Sequence, residues 1–213
     1  MASAAPILVK VHVDRARFEA TPDYMKEQRM QMITFAIALG CTICRDKWNF
    51  GKRRLDRLVR GAYEEITEWY EHYGGNPPEE GMNPDNVPTL YHGMRIQVDA
   101  LGIPLDEIEK EYALSPDFSG WRSLNDRKMR KYRFEELESM RMITRAYWYA
   151  MLLHLWHTYG NGGEVLTWVY RRIQEEWARV MRLYLDCDAG KDGRVYTTMR
   201  GRIRAIEKIG VKL

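Results

Sequence analysis

The sequence predicts an all-α fold, mainly helical with a short N-terminal β-strand, built as two pseudo-repeated three-helix units. Three observations predict it. Apolar residues recur at spacings of three and four over most of the 213 residues, the period of a helix. Glycine- and proline-rich breaks cut that pattern into segments of helical length. Met30-Gln31-Met32-Ile33-Thr34 returns as Met140-Arg141-Met142-Ile143-Thr144, each time followed by an apolar run, a glycine turn and an amphipathic run ending in aromatics.

In chain order, residues 1–20 form an arm in which Ile7, Val9, Val11 and Val13 alternate with Leu8, Lys10 and His12, the period of a half-buried strand. Such a strand needs a partner, either the segment Val195 to Thr198 or a second molecule. Residues 21–104 form the first unit. Thr21-Pro22-Asp23 starts a helix that runs to Trp48, with Thr21 as cap, Pro22 where its missing N–H costs nothing, and Asp23 at the positive end of the dipole. Asn49-Phe50-Gly51 turns the chain back, and Leu55, Leu58, Val59, Tyr63, Ile66, Trp69 and Tyr73 line a second helix stopped by Gly74-Gly75. A proline-rich loop, Asn76 to Pro88, precedes a shorter helix carrying Leu90, Met94, Val98 and Leu101 and closed by Gly102-Ile103-Pro104.

Residues 105–132 form a connector with a short acidic helix, Leu105 to Tyr112, and a basic stretch. Residues 133–213 form the second unit: a helix from Phe134 to Thr158, the turn Gly160 to Gly163, a helix from Glu164 to Leu185, a polar loop from Asp186 to Gly193, and a last helix ending at Gly210. The opening motifs match at a shift of 110, and one extra turn residue makes it 111, so that Gly51, Leu55, Leu58, Ile66 and Trp69 meet Gly162, Leu166, Val169, Trp177 and Val180. A shorter loop then aligns Val98, Leu101, Gly102 and Ile103 with Ile206, Ile209, Gly210 and Val211. The competing reading is that amphipathic helices share a period without sharing an origin.

Composition narrows the class. A 45% hydrophobic content with 12% aromatic residues supplies a full core. Cys41, Cys44 and Cys187 are an odd set without a disulfide framework, which fits a reducing compartment. No charged leader precedes a long apolar run, and no run approaches the roughly 20 residues of a membrane span. The expectation is a cytoplasmic protein with no membrane partner. A net charge of +3 excludes an acidic mimic of DNA without requiring a nucleic-acid partner.

Two patterns offer metal chemistry. Cys41-Thr42-Ile43-Cys44 and His154-Leu155-Trp156-His157 each put two ligand-type residues on one helical face, and Cys44 and His154 are equivalent at the shift of 110. Four such residues meeting at a pseudo-dyad make a tetrahedral zinc site; left apart, the cysteines fill core and the histidines hydrogen-bond locally, and this second reading is preferred. The polar loop from Asp186 to Gly193 lacks the glutamate that closes a calcium loop, and Gly160-Asn161-Gly162-Gly163 lacks the lysine of a phosphate loop. The pairs Glu64-Glu65 and Glu175-Glu176 read as solvated helix surface. No catalytic set is legible, so the expectation is a non-enzymatic protein with no cofactor.

Basic clusters carry the functional signal. Arg45, Lys47, Lys52, Arg53, Arg54, Arg57 and Arg60 face only Asp46 and Asp56 within their stretch and are interleaved with Trp48 and Phe50. Arg127, Lys128, Arg130, Lys131 and Arg133 form a second cluster; Arg200, Arg202, Arg204, Lys208 and Lys212 belong to a third. If the faces coincide they make a phosphate-binding surface to which Trp48 or Phe50 adds stacking; otherwise they are solvated helix faces balanced by acidic neighbours such as Glu64 and Glu71.

The block from Trp48 through Phe50-Gly51-Lys52-Arg53-Arg54-Leu55 to Leu58, with a unit closed by Gly102-Ile103, resembles small helical proteins of phages and prophages of Gram-positive bacteria. The second unit departs from that pattern, carrying Asn161 for Phe50 and Gly163-Glu164-Val165 for the basic triplet. The resemblance implies a mobile-element origin rather than a chemistry. Together these features lead to an expectation of a phage-type protein that docks on a host or phage macromolecule, a nucleoprotein such as a defence nuclease, as an inhibitor of the anti-CRISPR kind. The alternatives are a direct nucleic-acid binder in phage replication or gene control, and a structural homo-oligomer, such as a homodimer, joined through the N-terminal strand or through Tyr147, Trp148 and Trp156.

Overall fold

A computed structural model describes residues 23–69, 71–72, 90–114, 141, 144–186 and 193–213. Every regular element among them is a helix: α1 Asp23–Trp48, α2 Lys52–Trp69, α3 Leu90–Asp99, α4 Leu105–Glu111, α5 over 144–159, α6 Gly163–Asp186 and α7 Gly193–Glu207. The all-α class expected from the sequence holds. The predicted strand Ile7 to Val13, the proline-rich loop and the basic cluster Arg127 to Arg133 lie outside the described residues. Val195 to Thr198, expected as a strand partner, lies inside α7.

Two helices form the centre. On α1, Phe35, Ala36, Ile37, Ala38 and Leu39 are consecutive and all buried. A helix buried on every side must be surrounded by others. The same holds for α5, where each residue from Thr144 to Leu155 is buried. The two approach closely: a Cβ on Gly40 would meet the Met151 side chain at 2.6 Å, and the buried indole Nε1 of Trp148 donates to the Ala36 carbonyl at 2.9 Å. Phe35 stacks on Trp177 of α6, and Trp148 meets the same Trp177 edge-on at 5.1 Å. Beyond its own partner α2, α1 packs against α6 and α7.

The two halves carry the same local geometry at several places. Asn49 and Gly160 both take positive φ, 52° and 63°. Two residues on, the Gly51 carbonyl accepts from the N–H groups of Arg54 and Leu55, and the Gly162 carbonyl accepts from those of Val165 and Leu166. At the far end of each half, Gly102 and Gly210 turn the chain at φ 79° and 86°, donating to the carbonyls of Asp99 and Glu207. Ile103 and Val211 follow, both buried. Glycine is the residue that reaches this conformation without a Cβ clash, so each helix stops there and the next apolar residue turns inward.

The ends are set across halves. A Cβ on Gly163, which opens α6, would lie 2.6 Å from the Leu101 carbonyl oxygen at the end of the first half. Reciprocally, a Cβ on Gly210 would lie 2.9 Å from Cε of Lys52, which opens α2. Phe50 in the first turn meets Tyr159 beside the second at 5.3 Å. Both turns and both terminators therefore gather at one end of the molecule.

Candidate functional site

The contact of Lys52 with Gly210 joins two of the basic clusters seen in the sequence. Lys52, Arg53, Arg54 and Arg57 on the first turn of α2 and just beyond are exposed, as are Arg45 and Lys47 at the end of α1. From the other side come Lys208 and Lys212, flanking Gly210, with Arg204 one turn and Arg200 two turns back from Lys208 along α7, all exposed. Lys52 and the lysines flanking Gly210, some 150 residues apart in sequence, are thus brought together.

Not all of them offer charge to solvent in the same way. Lys52 is paired with Asp56, one turn on. Lys47 lies over the Trp168 ring at 4.3 Å, a cation–π contact that also screens one of the exposed tryptophans. Arg54 lies over Phe50. Arg202, two residues from both Arg200 and Arg204 and thus turned well away from them around the helix, is bound to Glu176 of α6. Glu176 also receives Arg179 and lies 3.9 Å from Arg172. Burial raises the carboxyl of Glu176, but these guanidiniums together bring it below its ordinary value. Arg202 is thus a strut between α6 and α7, and the expected solvated pair Glu175-Glu176 is an ion-pair cluster.

Phe50 is not a free stacking surface. It is 5% exposed, held between Trp48 at 5.3 Å and Tyr159 at 5.3 Å, and forms part of the core. Trp48 is half-buried against it. Tyr147 and Trp148, expected as a subunit interface, are fully buried inside the fold. Of that trio only Trp156 reaches the surface.

The zinc arrangement is not assembled. Among the described residues no three His, Cys, Asp or Glu side chains gather as a ligand set. Cys41 and Cys44 are buried, and burial pushes the Cys41 thiol up to about 12 and that of Cys44 also well above its ordinary value. His154 instead packs on Gly61 of α2, where a Cβ would fall 2.0 Å from its ring, and bonds Thr158 Oγ1. His157 Nδ1 meets Glu65 Oε1 at 2.8 Å.

A second polar centre was not legible in the sequence. Glu109 of α4 is 8% exposed and is reached by four side chains from three helices. Arg95 of α3 and Arg145 of α5 approach Oε2 at 3.1 and 2.7 Å, while the hydroxyls of Tyr149 and Tyr170 donate to Oε1, the latter at 2.7 Å. Arg95 extends the network to Tyr91 and Asp106. Burial, with the Glu109 charge beside it, pushes the Tyr149 phenol far above its ordinary value, and Tyr170 moves the same way. Both phenols therefore stay protonated as donors, and the centre binds α3, α4, α5 and α6 together. The only signal in the sequence was Glu109 falling on the same face as Leu105 and Ile108, within one acidic helix.

Among the described residues no helix is long and apolar enough to cross a membrane. Set against family models, curated proteins and solved structures, the chain matches none of them.

Proposed function

We propose that the protein is a non-enzymatic binding protein of phage type, built from two copies of one three-helix unit, that docks through its basic end on a nucleoprotein and contacts the nucleic acid within it. The observation that carries this reading is the meeting of Lys52 and Gly210, which sets the basic start of α2 beside the basic end of α7. The reading of two copies is supported by the paired turns at Asn49 and Gly160 and the paired terminators Gly102 and Gly210. Phosphate is the complementary partner of such a surface, since arginine and lysine gain affinity there chiefly by releasing condensed counterions. The target envisaged is a host or phage nucleoprotein, a defence nuclease among them; the inhibitory role rests on the phage resemblance of the Phe50-Gly51 turn and its basic helix.

The test is a salt titration. Anisotropy of a labelled oligonucleotide should show affinity falling steeply with salt, with a log–log slope of about −3 for four or five phosphate contacts to a single strand. The triple variant Lys52→Ala, Arg53→Ala, Arg57→Ala should flatten that slope. Binding that ignores salt, or a triple variant that binds as the parent does, would remove the reading. A nucleoprotein target predicts in addition that a tagged protein retains a nuclease or polymerase from its host, and that digesting the nucleic acid weakens the retention. A direct nucleic-acid binder would keep the salt slope and retain no such protein.

A further inference from the structure

The Glu109 carboxylate has no acceptor site left. Its Oε2 receives Arg95 and Arg145, and its Oε1 receives the Tyr149 and Tyr170 hydroxyls, which fills the lone pairs of both oxygens. Arg145 is only partly used. Nη1 of its guanidinium meets Glu109 at 2.7 Å, while Nε and Nη2 are buried and have no hydrogen-bond partner among the described residues. Those two nitrogens form one edge of the planar fork, an edge that offers parallel N–H groups to both oxygens of a carboxylate or phosphate. Arg145 is 7% exposed, so bulk solvent does not serve that edge.

A further unmet donor lies on the facing helix. Gln174 of α6 is 2% exposed, and its Nε2 is buried without an acceptor. Helical spacing sets it beside Arg145. The short turn after Tyr159 makes α5 and α6 run back along each other, so one turn toward the start of α5 is matched by one turn onward in α6. Tyr149 and Tyr170 meet across this pair, with rings at 5.6 Å and hydroxyls at 3.4 Å. Arg145 and Gln174 stand one turn beyond them, each on the same helical face as its tyrosine.

Water answers such a place poorly. A bridging water needs acceptors for its own protons, and the neighbouring carboxylate has no lone pair to offer. An anion needs donors alone, and a guanidinium edge beside an amide supplies them together with positive charge. The packing of the helices does not demand these groups. At the shifts of 110 and 111 that align the two halves, the places of Arg145, Tyr149, Tyr170 and Gln174 are taken by Phe35, Leu39, Val59 and Tyr63. Phe35, Leu39 and Val59 are buried in the core. An apolar set fills the equivalent positions, whereas the second half keeps a buried guanidinium with donors unmet, an arrangement that lowers stability until an acceptor arrives.

We propose that the Nε–Nη2 edge of Arg145, with the Gln174 amide beside it, is a binding site for a small oxyanion, a carboxylate or phosphate group held between α5 and α6. The site lies about 20 Å along α5 from the turn at Gly160 and is independent of the basic end. Arg145 grips the two oxygens side-on, and Gln174 donates to one of them.

The variant Gln174→Glu supplies the oxyanion from the chain itself, since glutamate has the length of glutamine and sets its carboxylate against the open edge. Thermal midpoints are measured at pH 7 in sodium chloride, sodium formate and sodium phosphate at equal ionic strength. The parent should melt higher in formate or phosphate than in chloride, by an increment that repeats for each tenfold rise in anion once the site is mostly filled. Gln174→Glu should melt above the parent in chloride and no longer distinguish the salts. Gln174→Leu should need about tenfold more anion for the same rise, the weight of one charge-assisted hydrogen bond. General salt effects act on all three proteins alike, so the differences between them report the site. A response to formate alone marks a carboxylate ligand, and a response to phosphate alone marks a phosphoryl group. A parent with one midpoint in all three salts overturns the proposal. So does a salt response that Gln174→Leu shares in full, or a Gln174→Glu protein that melts below the parent, because its carboxylate would then have met no open guanidinium.

Discussion

Cys41 and Cys44 stand one helical turn apart on α1, and both are enclosed by the core. A thiol attacks disulfides and alkylating reagents as its thiolate, so burial blocks it twice: it denies access, and it lifts the Cys41 thiol to about 12. In a Cys187→Ser background the native protein should leave an aromatic disulfide reagent unreduced over hours, and two thiols should appear on denaturation. Rapid native release of even one thiol equivalent would contradict the packing. His154 behaves in the opposite sense. Burial lowers its imidazole below the usual 6.5, outweighing Glu65 and Glu64 on α2, while His157 on its own helix and Arg57 on α2 push the same way as burial. The unfolded chain then takes up the proton first as pH falls. Stability from this residue is therefore complete above about pH 6.5 and is lost on acidification toward the lower folded value. Urea midpoints measured from pH 8 to pH 5 should fall more steeply for the parent than for His154→Gln, and parallel curves would remove His154 as the cause. The spacing of the C-x-x-C and H-x-x-H pairs told correctly that each shares a helical face. What those faces meet depends on Gly61 and the surrounding core, which no local pattern encodes.

Helix α4 is seven residues long, too short to persist on its own propensity, and its helical N-terminus has no side-chain cap. It is held by Leu105 and Ile108 in the core and by Glu109 in its cage of two guanidiniums and two phenols. Removing Glu109 leaves Arg145, 7% exposed, without its carboxylate, and Nε and Nη2 of that guanidinium already lack a partner among the described residues. Glu109→Ala should therefore cost about 3–5 kcal/mol in urea unfolding, because an uncompensated buried charge is left behind. Tyr170→Phe removes one donor while Tyr149 still serves the same oxygen, and should cost only about 1 kcal/mol. Equal losses for the two would mean that the network is not centred on the carboxylate. At this scale the helices and their stops were legible because apolar period and turn glycine are local signals, as at Gly51, Gly102 and Gly162. The Glu109 centre was not, because it assembles from residues 95, 109, 145, 149 and 170, and an acidic residue in an acidic helix looks like surface until its neighbours are known.

For the molecule as a whole, the decisive feature is that neither half encloses its own central helix. On α1 the consecutive residues Phe35 to Leu39 are buried on every side, and α2 alone cannot cover a full circumference; α6 and α7 of the second half complete it. The reciprocal holds for α5, whose Tyr147, Tyr149 and His154 are packed by Tyr63, by Tyr91 and by Gly61 of the first half. The all-round apolar run of α1 already pointed to the long helices of the two units sharing one core; which faces of α2, α6 and α7 close around it was not legible, since the pairing of faces is a property of the assembled core. Uncovering a stretch such as Phe35 to Leu39 exposes Phe35, Ile37 and Leu39 at about 1.5–3 kcal/mol each, which is comparable to the whole net stability of a small domain. Each half should therefore fail to fold alone. Expressed separately, residues 1–114 and 115–213 should show no cooperative thermal transition, whereas co-expressed they should purify together as one heterodimer with a single transition. A cooperative transition in either half alone, near that of the intact chain, would show instead that the units are independent domains placed side by side.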